Sequence, residues 1–326
     1  MRPNTDFIYV DGNPIETEYK VINNNIMVPY LFLKNLGISV DILSNNKLIV
    51  LMLVDKVLKI RVNDKYPSYC LNSSDVWMNE LCNTIITEKY ISLKFVSEML
   101  NIKLIHNSVD SRIYMISNMP PGIFQQLICR GDSSKKKVAL TFDDAPDNSA
   151  TIKILDILRD KGVVATFFVT GEYAEIFPQV LERIFTEGHQ IGNHGYYHAA
   201  MNALTTSQVI KEIKKTEKCI KSITGIKTSI FRPPYGFITY ADFKSISDVD
   251  YKIIGWTIDT KDYLGLSKNE ITNVIKRDIS QGAIILQHSF EFKQGILDGT
   301  IEALPDIIDD LRTQGNELVT INELLK

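Results

Sequence analysis

KVALTFDDAPDNSATIKILDILRDKGVVATFFV, residues 137–169, is the stretch whose reading decides the fold. Val138–Phe142 is a short apolar run that predicts a strand, and it stops at two aspartates and a proline. Ala150–Lys161 carries apolar residues at Ile152, Leu155 and Leu158, the spacing of one helix face. Ala165–Val169 is a second short apolar run. Strand, helix and strand in so short a span make a βαβ unit, whose two strands run parallel.

The alternation continues to the C terminus. Ala174–Glu187 predicts a helix, Gln190–Asn193 a short strand and Thr205–Ile223 a long helix. Ser229–Arg232, Tyr251–Ile258 and Ala283–Gln287 predict strands with helices between them. Leu297–Gln314 predicts the last helix and Glu317–Ile321 the last strand. This many βα units predict an α/β domain built as a (β/α) barrel.

Residues 7–118 read differently. Short alternations at Phe7–Val10, Lys47–Met52, Val57–Val62 and Arg112–Ile116 predict strands, with short helix candidates between them. Val28-Pro-Tyr-Leu-Phe-Leu-Lys-Asn-Leu-Gly-Ile38 and Ile91-Ser-Leu-Lys-Phe-Val-Ser-Glu-Met-Leu-Asn-Ile102 look like two copies of one segment. Each is followed by an alternating strand and a polar turn, an internal duplication of a helix-plus-hairpin unit. Met119-Pro-Pro-Gly122 is a linker signal, and Gly131–Lys137 is a polar approach to the second domain. The expected organisation is therefore an α+β domain at 1–118, a linker at 119–135 and the barrel at 136–326. A chain of 326 residues has room for both.

Composition narrows the function classes. The hydrophobic share of 44% and charged share of 23% are those of a soluble globular protein. A net charge of −3 argues against a nucleic-acid partner, and the lysine run at 135–137 reads as a solvated turn. The longest apolar run, Leu48–Leu53, reads as a buried strand and is far shorter than the roughly 20 residues of a membrane span. The opening Met1-Arg-Pro-Asn-Thr-Asp6 lacks the apolar core of a signal peptide, so either the protein is cytosolic or a leader has been removed ahead of it. Of four cysteines, none forms a C-x-x-C pair, which argues against a thiolate zinc site. Cys70 and Cys82 are close enough to bridge in an oxidising compartment; two free thiols fit the sequence equally well.

Chemistry collects in the second domain, which holds four of the five histidines. Asp143 and Asp144, His194, Arg232, Asp259 and Asp262, and His288 all fall just after predicted strands. In a β/α barrel those positions share the rim where active sites form. Adjacent residues on a regular strand face opposite ways, so Asp143 and Asp144 serve one site only if the chain bends, for which Ala145-Pro146 stands ready. Two nearby carboxylates repel unless a cation lies between them or one is protonated. Asp147 or Asn148 fits the role of helix N-cap better than either. His194 and His198, at i and i+4, have a metal-ligand spacing, and with an aspartate they leave coordination positions open for water and a substrate oxygen. His189 reads as structural and His106 as a surface residue.

Thr141-Phe-Asp143-Asp144-Ala-Pro146 resembles the first motif of carbohydrate esterase family 4, the NodB-homology polysaccharide deacetylases. His194-x-x-x-His198 resembles the second, Arg232-Pro-Pro-Tyr235 the third, Asp259-Thr-Lys-Asp262-Tyr263 the fourth and Leu286-Gln-His288 the fifth. The resemblance implies the distorted barrel of the NodB type and a metal-dependent deacetylase. Asp144, His194 and His198 would bind Zn²⁺, with Co²⁺ or another divalent ion as alternatives. Asp143 would be the general base, held by Arg232. The Tyr235 backbone N–H would stabilise the oxyanion, and His288, held by Asp262, would be the general acid. Trp256 and Tyr263 would line the sugar groove beside Tyr235, although core aromatics would read the same way.

Departures from the family pattern are Ala145 for Gly, Gly195 for Ser or Thr, Ala199 for Pro and Tyr263 for Trp. Ala145 would be strained at a positive φ, and Gly195 would lose a hydroxyl that braces the histidine loop. The duplicated first domain resembles the stalk-like copper amine oxidase N-terminal repeat, for which cell-wall binding is the expectation. The expected substrate is an N-acetylglucosamine glycan of the cell wall, acted on outside the cytoplasm. Acetyl-xylan, a lectin-like role without catalysis, and a small cytosolic amide are the competing readings.

Overall fold

The computed structural model describes residues 4–43, 48–62, 67–72, 77–78, 86–87, 89–106, 112–117 and 127–326. Cys82 and Met119-Pro-Pro-Gly122 lie outside the described residues. Two compact units are present: one of Met1–Phe124 with Met201–Val209 and Phe237–Ser245, the other of Gln125–Ala200, Ile210–Gly236 and Ile246–Lys326. Each unit therefore consists of three segments of chain, where the sequence suggested one boundary.

Among the described residues the first unit is an α+β structure with two sheets. Asn25–Pro29 runs into a 3₁₀ helix at Tyr30–Leu36, closed by Gly37 at φ 77. Tyr90–Ser92 runs into an α-helix at Leu93–Leu100, closed by Asn101 at φ 58. Their strands pair antiparallel, Val28 opposite Ile91, and each helix leads into a hairpin. The duplication is thus structural as well as sequential. Leu48–Leu53 is a hairpin strand with one half-exposed face, Met52 included, where the sequence suggested full burial.

One polar feature lies inside this unit's apolar packing. Lys34 and Asp242 are both fully buried, with Nζ 2.8 Å from Asp242 Oδ1. Nζ also donates to the carbonyls of Met201 and Leu204, at 2.9 and 2.8 Å. Burial pulls the Lys34 pKa down, and the charge of Asp242 opposes it.

The second unit is a distorted (β/α) barrel with all its strands parallel. Its strands follow in the order 127–128, 252–254, 230–231, 190–193, 166–169, 137–145, 284–288 and 258–259, with 317–318 beside 137–138. Among the described residues no ladder joins the two end strands, which is the distortion. The buried faces of Phe142, Phe167 and Leu304 belong to one core between sheet and helices. Helix Ala150–Lys161 buries Ile154 with Leu155 and Leu158, while Ile152 is only partly buried.

Three predicted elements are divided. The helix expected at 174–187 is two helices, Gly171–Ile176 and Pro178–Thr186, because Pro178 starts a new helix where it would break an old one. The strand expected at 251–258 is two, separated by Gly255-Trp256-Thr257. The last strand stops at Leu318, because the Thr320 hydroxyl caps a short helix from Ile321.

Candidate active site

Strand Lys137–Ala145 supplies the two aspartates. Its register against the next strand advances from Phe142 opposite Phe167 to Ala145 opposite Val169, so one extra residue is taken up between them. That bulge, with Asp144 at φ 66, turns both carboxylates into the same cleft. The bend therefore lies at Asp144, one residue earlier than Ala145-Pro146. Ala145 is not among the residues of positive φ, so alanine is unstrained there.

Asp143 is 4% exposed, and its Oδ1 accepts from Arg232 Nη1 at 2.6 Å. Arg232 is fully buried over the Phe168 ring and also donates to Thr141 Oγ1 and the Gly255 carbonyl. Burial pulls the guanidinium pKa down, and Asp143 opposes it. Asp143 Oδ2 remains on the cleft side, 3.6 Å from His194 Nε2.

His194 follows strand Gln190–Asn193, and its Nδ1 is 2.7 Å from the Arg232 carbonyl. A carbonyl only accepts, so Nδ1 carries the proton and Nε2 presents a lone pair. That lone pair faces Asp144 Oδ1 at 3.4 Å, and His198 Nε2 faces the same oxygen at 3.1 Å. Asp144 Oδ1 is buried without a hydrogen-bond partner. A buried anionic oxygen met by imidazole nitrogens is stabilised by a cation, and the three ligand atoms lie within 4.8 Å of one another. The residues present thus fit a divalent metal.

The loop between the histidines is held by Glu212, whose Oε2 accepts from the backbone N–H of Tyr196 and of Tyr197, each at 2.8 Å. Asn193 Oδ1 accepts from Gly195 N–H at 2.9 Å, and Gly195 sits at φ 79, where glycine costs nothing. These carboxylate and amide contacts brace the loop that the sequence left without a hydroxyl. His189 lies outside the cleft, its Nδ1 accepting from Ala165 N–H.

Strand Ile284–His288 brings His288 beside Asp143 in register. His288 Nδ1 is 2.7 Å from Asp262 Oδ1, and its backbone N–H donates to Asp262 Oδ2. Asp262 is fully buried and also accepts from Thr300 Oγ1 and Tyr263 N–H. Burial alone would lower the His288 pKa; hydrogen bonding and charge from Asp262 overcome this and lift it to about 9.

Tyr235 turns at φ 60, is 61% exposed and has its hydroxyl 3.2 Å from His198 Nδ1. A Cβ on Gly236 would lie 2.8 Å from the Trp256 ring, so only glycine lets Trp256 lie there. Tyr263 packs edge-on against His288. The sequence-predicted residues Asp143, Asp144, His194, His198, Tyr235, Trp256, Asp259, Tyr263 and His288 thus line one cleft of about 530 Å³. Arg232 and Asp262 stand behind it, each bonded to a cleft residue. Glu212, Gly236 and Thr300 are not singled out from sequence, and Thr141 enters there only as the first residue of the first motif. Gly236, next to the third motif, is the one whose position could have been noticed.

The polysaccharide deacetylase family profile matches residues 130–254, and that of the copper amine oxidase N-terminal domain matches residues 9–115. The peptidoglycan-N-acetylglucosamine deacetylase of Bacillus cereus is 40% identical over 196 residues, covering 60% of this chain and 70% of that protein. The peptidoglycan-N-acetylglucosamine deacetylase PgdA of Listeria monocytogenes is 35% identical over 192 residues, 59% of this chain and only 39% of its own length. A crystal structure of a peptidoglycan N-acetylglucosamine deacetylase in complex with 4-naphthalen-1-yl-N-oxidanyl-benzamide superposes with a TM-score of 0.61 at 38% identity, covering 64% of this chain and 97% of that one. A carbohydrate esterase family 4 pseudoenzyme from Bacillus anthracis superposes at 0.58 and 30% identity, covering 66% and 74%.

Proposed function

The chain belongs to the polysaccharide deacetylase family, and from that membership we propose that it removes N-acetyl groups from cell-wall peptidoglycan, at its N-acetylglucosamine units. The observation that carries the reading is Asp144 Oδ1, buried and facing two imidazole nitrogens, in a cleft shared with Asp143 and His288. Asp144, His194 and His198 would hold the metal, and two nitrogens with one oxygen suit Zn²⁺. Bound there, such an ion supplies Lewis-acid polarisation of the acyl oxygen and a lowered pKa for water.

The chain's own residues do the rest. Arg232 fixes Asp143 Oδ1 by a charge-assisted hydrogen bond, leaving Oδ2 to take the proton of the attacking water. The Tyr235 N–H would donate to the acyl oxygen as negative charge gathers on it. His288, charged at neutral pH because of Asp262, gives its proton to the amine nitrogen as the C–N bond breaks. Acetate and a free amino sugar are the products. Peptidoglycan lies outside the membrane, so the site of action is extracytoplasmic. No helix among the described residues is long and apolar enough to cross a membrane.

The test is acetate release by Zn²⁺-loaded protein from peptidoglycan, N-acetylglucosamine oligomers and acetylated xylan. Release from the first two supports the reading. Release from xylan alone replaces it with an O-deacetylase. No release with metal bound places the chain beside the pseudoenzyme it resembles.

A second outcome concerns pH. The charged form of His288 persists up to its pKa near 9, so activity should fall as pH rises through that value. Asp262→Asn removes the strongest influence raising this pKa and leaves burial, which favours neutral imidazole, opposed only by the weaker charges of Asp144 and Asp143. Its alkaline limb should move to lower pH, with kcat at pH 8 down about tenfold or more. An unmoved limb in the pH–rate profile would show that His288 is not the acid.

A further inference from the structure

The loops that carry His198 and Tyr235 both run on into segments of the first unit. The chain passes over at Met201, just after His198, and again at Phe237, just after Tyr235. Both residues have left-handed backbones, His198 at φ 52 and Tyr235 at φ 60. A residue other than glycine keeps that conformation only where the chain around it is held. On the N-terminal side Glu212 fixes Tyr196 and Tyr197, and the Arg232 N–H donates to the Asn193 carbonyl at 3.0 Å. On the C-terminal side both loops end on one atom. Lys34 Nζ donates to the carbonyls of Met201 and Leu204 and is ion-paired with Asp242 Oδ1. Asp242 Oδ2 accepts from the backbone N–H and the hydroxyl of Thr239, at 3.0 and 2.6 Å. Lys34 thus reaches the chain a few residues beyond each strained position. Inside the cleft the same loops meet again, with the His198 and Tyr235 rings edge-on at 4.6 Å and the Tyr235 hydroxyl on His198 Nδ1.

A buried ion pair adds little stability over apolar side chains of the same volume. What this one supplies is position, because a single ammonium gathers three oxygens from two separate segments, where an apolar side chain would hold none. We propose that Lys34 is a positioning residue of the active site. By holding the segments after His198 and Tyr235 on one buried ammonium, it sets the His198 imidazole toward the metal and the Tyr235 N–H toward the acyl oxygen. The parts played by His198 and Tyr235 rest on the deacetylase reading.

The experiment compares the full chain as wild type, as Lys34→Met/Asp242→Asn and as Leu58→Ala. The double variant removes both charges at nearly constant volume, whereas Lys34→Met alone would strand the Asp242 carboxylate. Leu58→Ala is the control, a truncation in the same unit's apolar core on strand Lys56–Arg61. Measured for each are melting temperature, Zn²⁺ affinity by competition with a chromophoric chelator, and the visible spectrum of the Co²⁺-loaded protein. With them go kcat and KM for acetate release from N-acetylglucosamine tetramer at saturating Zn²⁺. The double variant should bind Zn²⁺ about tenfold more weakly, the low end for a residue that supports a ligand, and shift the Co²⁺ bands. Its kcat should fall about tenfold with KM within about twofold of wild type, since the misplaced N–H acts in the transition state. Leu58→Ala should melt lower and keep the wild-type affinity, spectrum and kcat. A double variant with wild-type affinity and kcat overturns the positioning role. So do equal losses in Leu58→Ala, which would make general stability their cause. Wild type that binds Zn²⁺ and releases no acetate from any glycan ends the deacetylase reading, while affinity and spectrum still decide the role of Lys34. Wild type that binds no metal overturns both.

Discussion

Asp143→Asn should lower kcat for acetate release by about a thousandfold while leaving the bound metal stoichiometric. A positioned general base contributes 10²–10⁴-fold, and the amide keeps the shape of the carboxylate while giving up its basicity. Oδ1 faces Arg232 and Oδ2 the cleft, and neither is one of the three clustered ligand atoms. Metal content measured beside kcat separates the two roles. The variant also leaves the fully buried Arg232 without its anion, so a fall in melting temperature is expected with the loss of rate. A variant that turns over at the wild-type rate would remove Asp143 from the reaction.

Removing the metal should have the largest effect. Dialysis against a chelator is expected to abolish acetate release, and Zn²⁺ to restore it. His198→Ala should weaken metal affinity by a hundredfold or more, since losing even a residue behind the ligands costs 10–100-fold. The three ligand atoms come from the end of one strand and from the loop after another, so deleting one leaves a pair too open to compete with water. Activity that survives the chelator, with no metal detected, would end the metal reading.

The barrel was legible because a parallel strand is buried on both faces and so leaves a continuous apolar run, as at Val138–Phe142 and Thr166–Val169. Boundaries failed where one residue outweighed the pattern. Pro178 divided a helix, and Thr320 began one inside a predicted strand. The cleft was legible because its reactive groups fall where barrel strands end. Its supporting contacts were not. Glu212 lies on a long helix, and nothing near it in sequence marks it as the acceptor for the histidine loop. Thr300 likewise reaches Asp262 from a distant helix. The bulge at Asp144 was inferred only as a bend, because an extra residue in one strand is defined by its neighbour and not by its own sequence.

The buried pair of Lys34 and Asp242 bears on how such proteins can be recombined in evolution. Met201 and Leu204 follow closely on His198, and Asp242 on Tyr235, yet all three are partners of Lys34 within the first unit. A single crossover between the two sequence halves would therefore bring in a foreign residue at position 34. Unless it were a lysine, the carboxylate of Asp242 would be left buried with no cation, a defect of about 3–5 kcal/mol. Descendants of such an exchange would survive only if Asp242 changed as well, so the two positions should be inherited together.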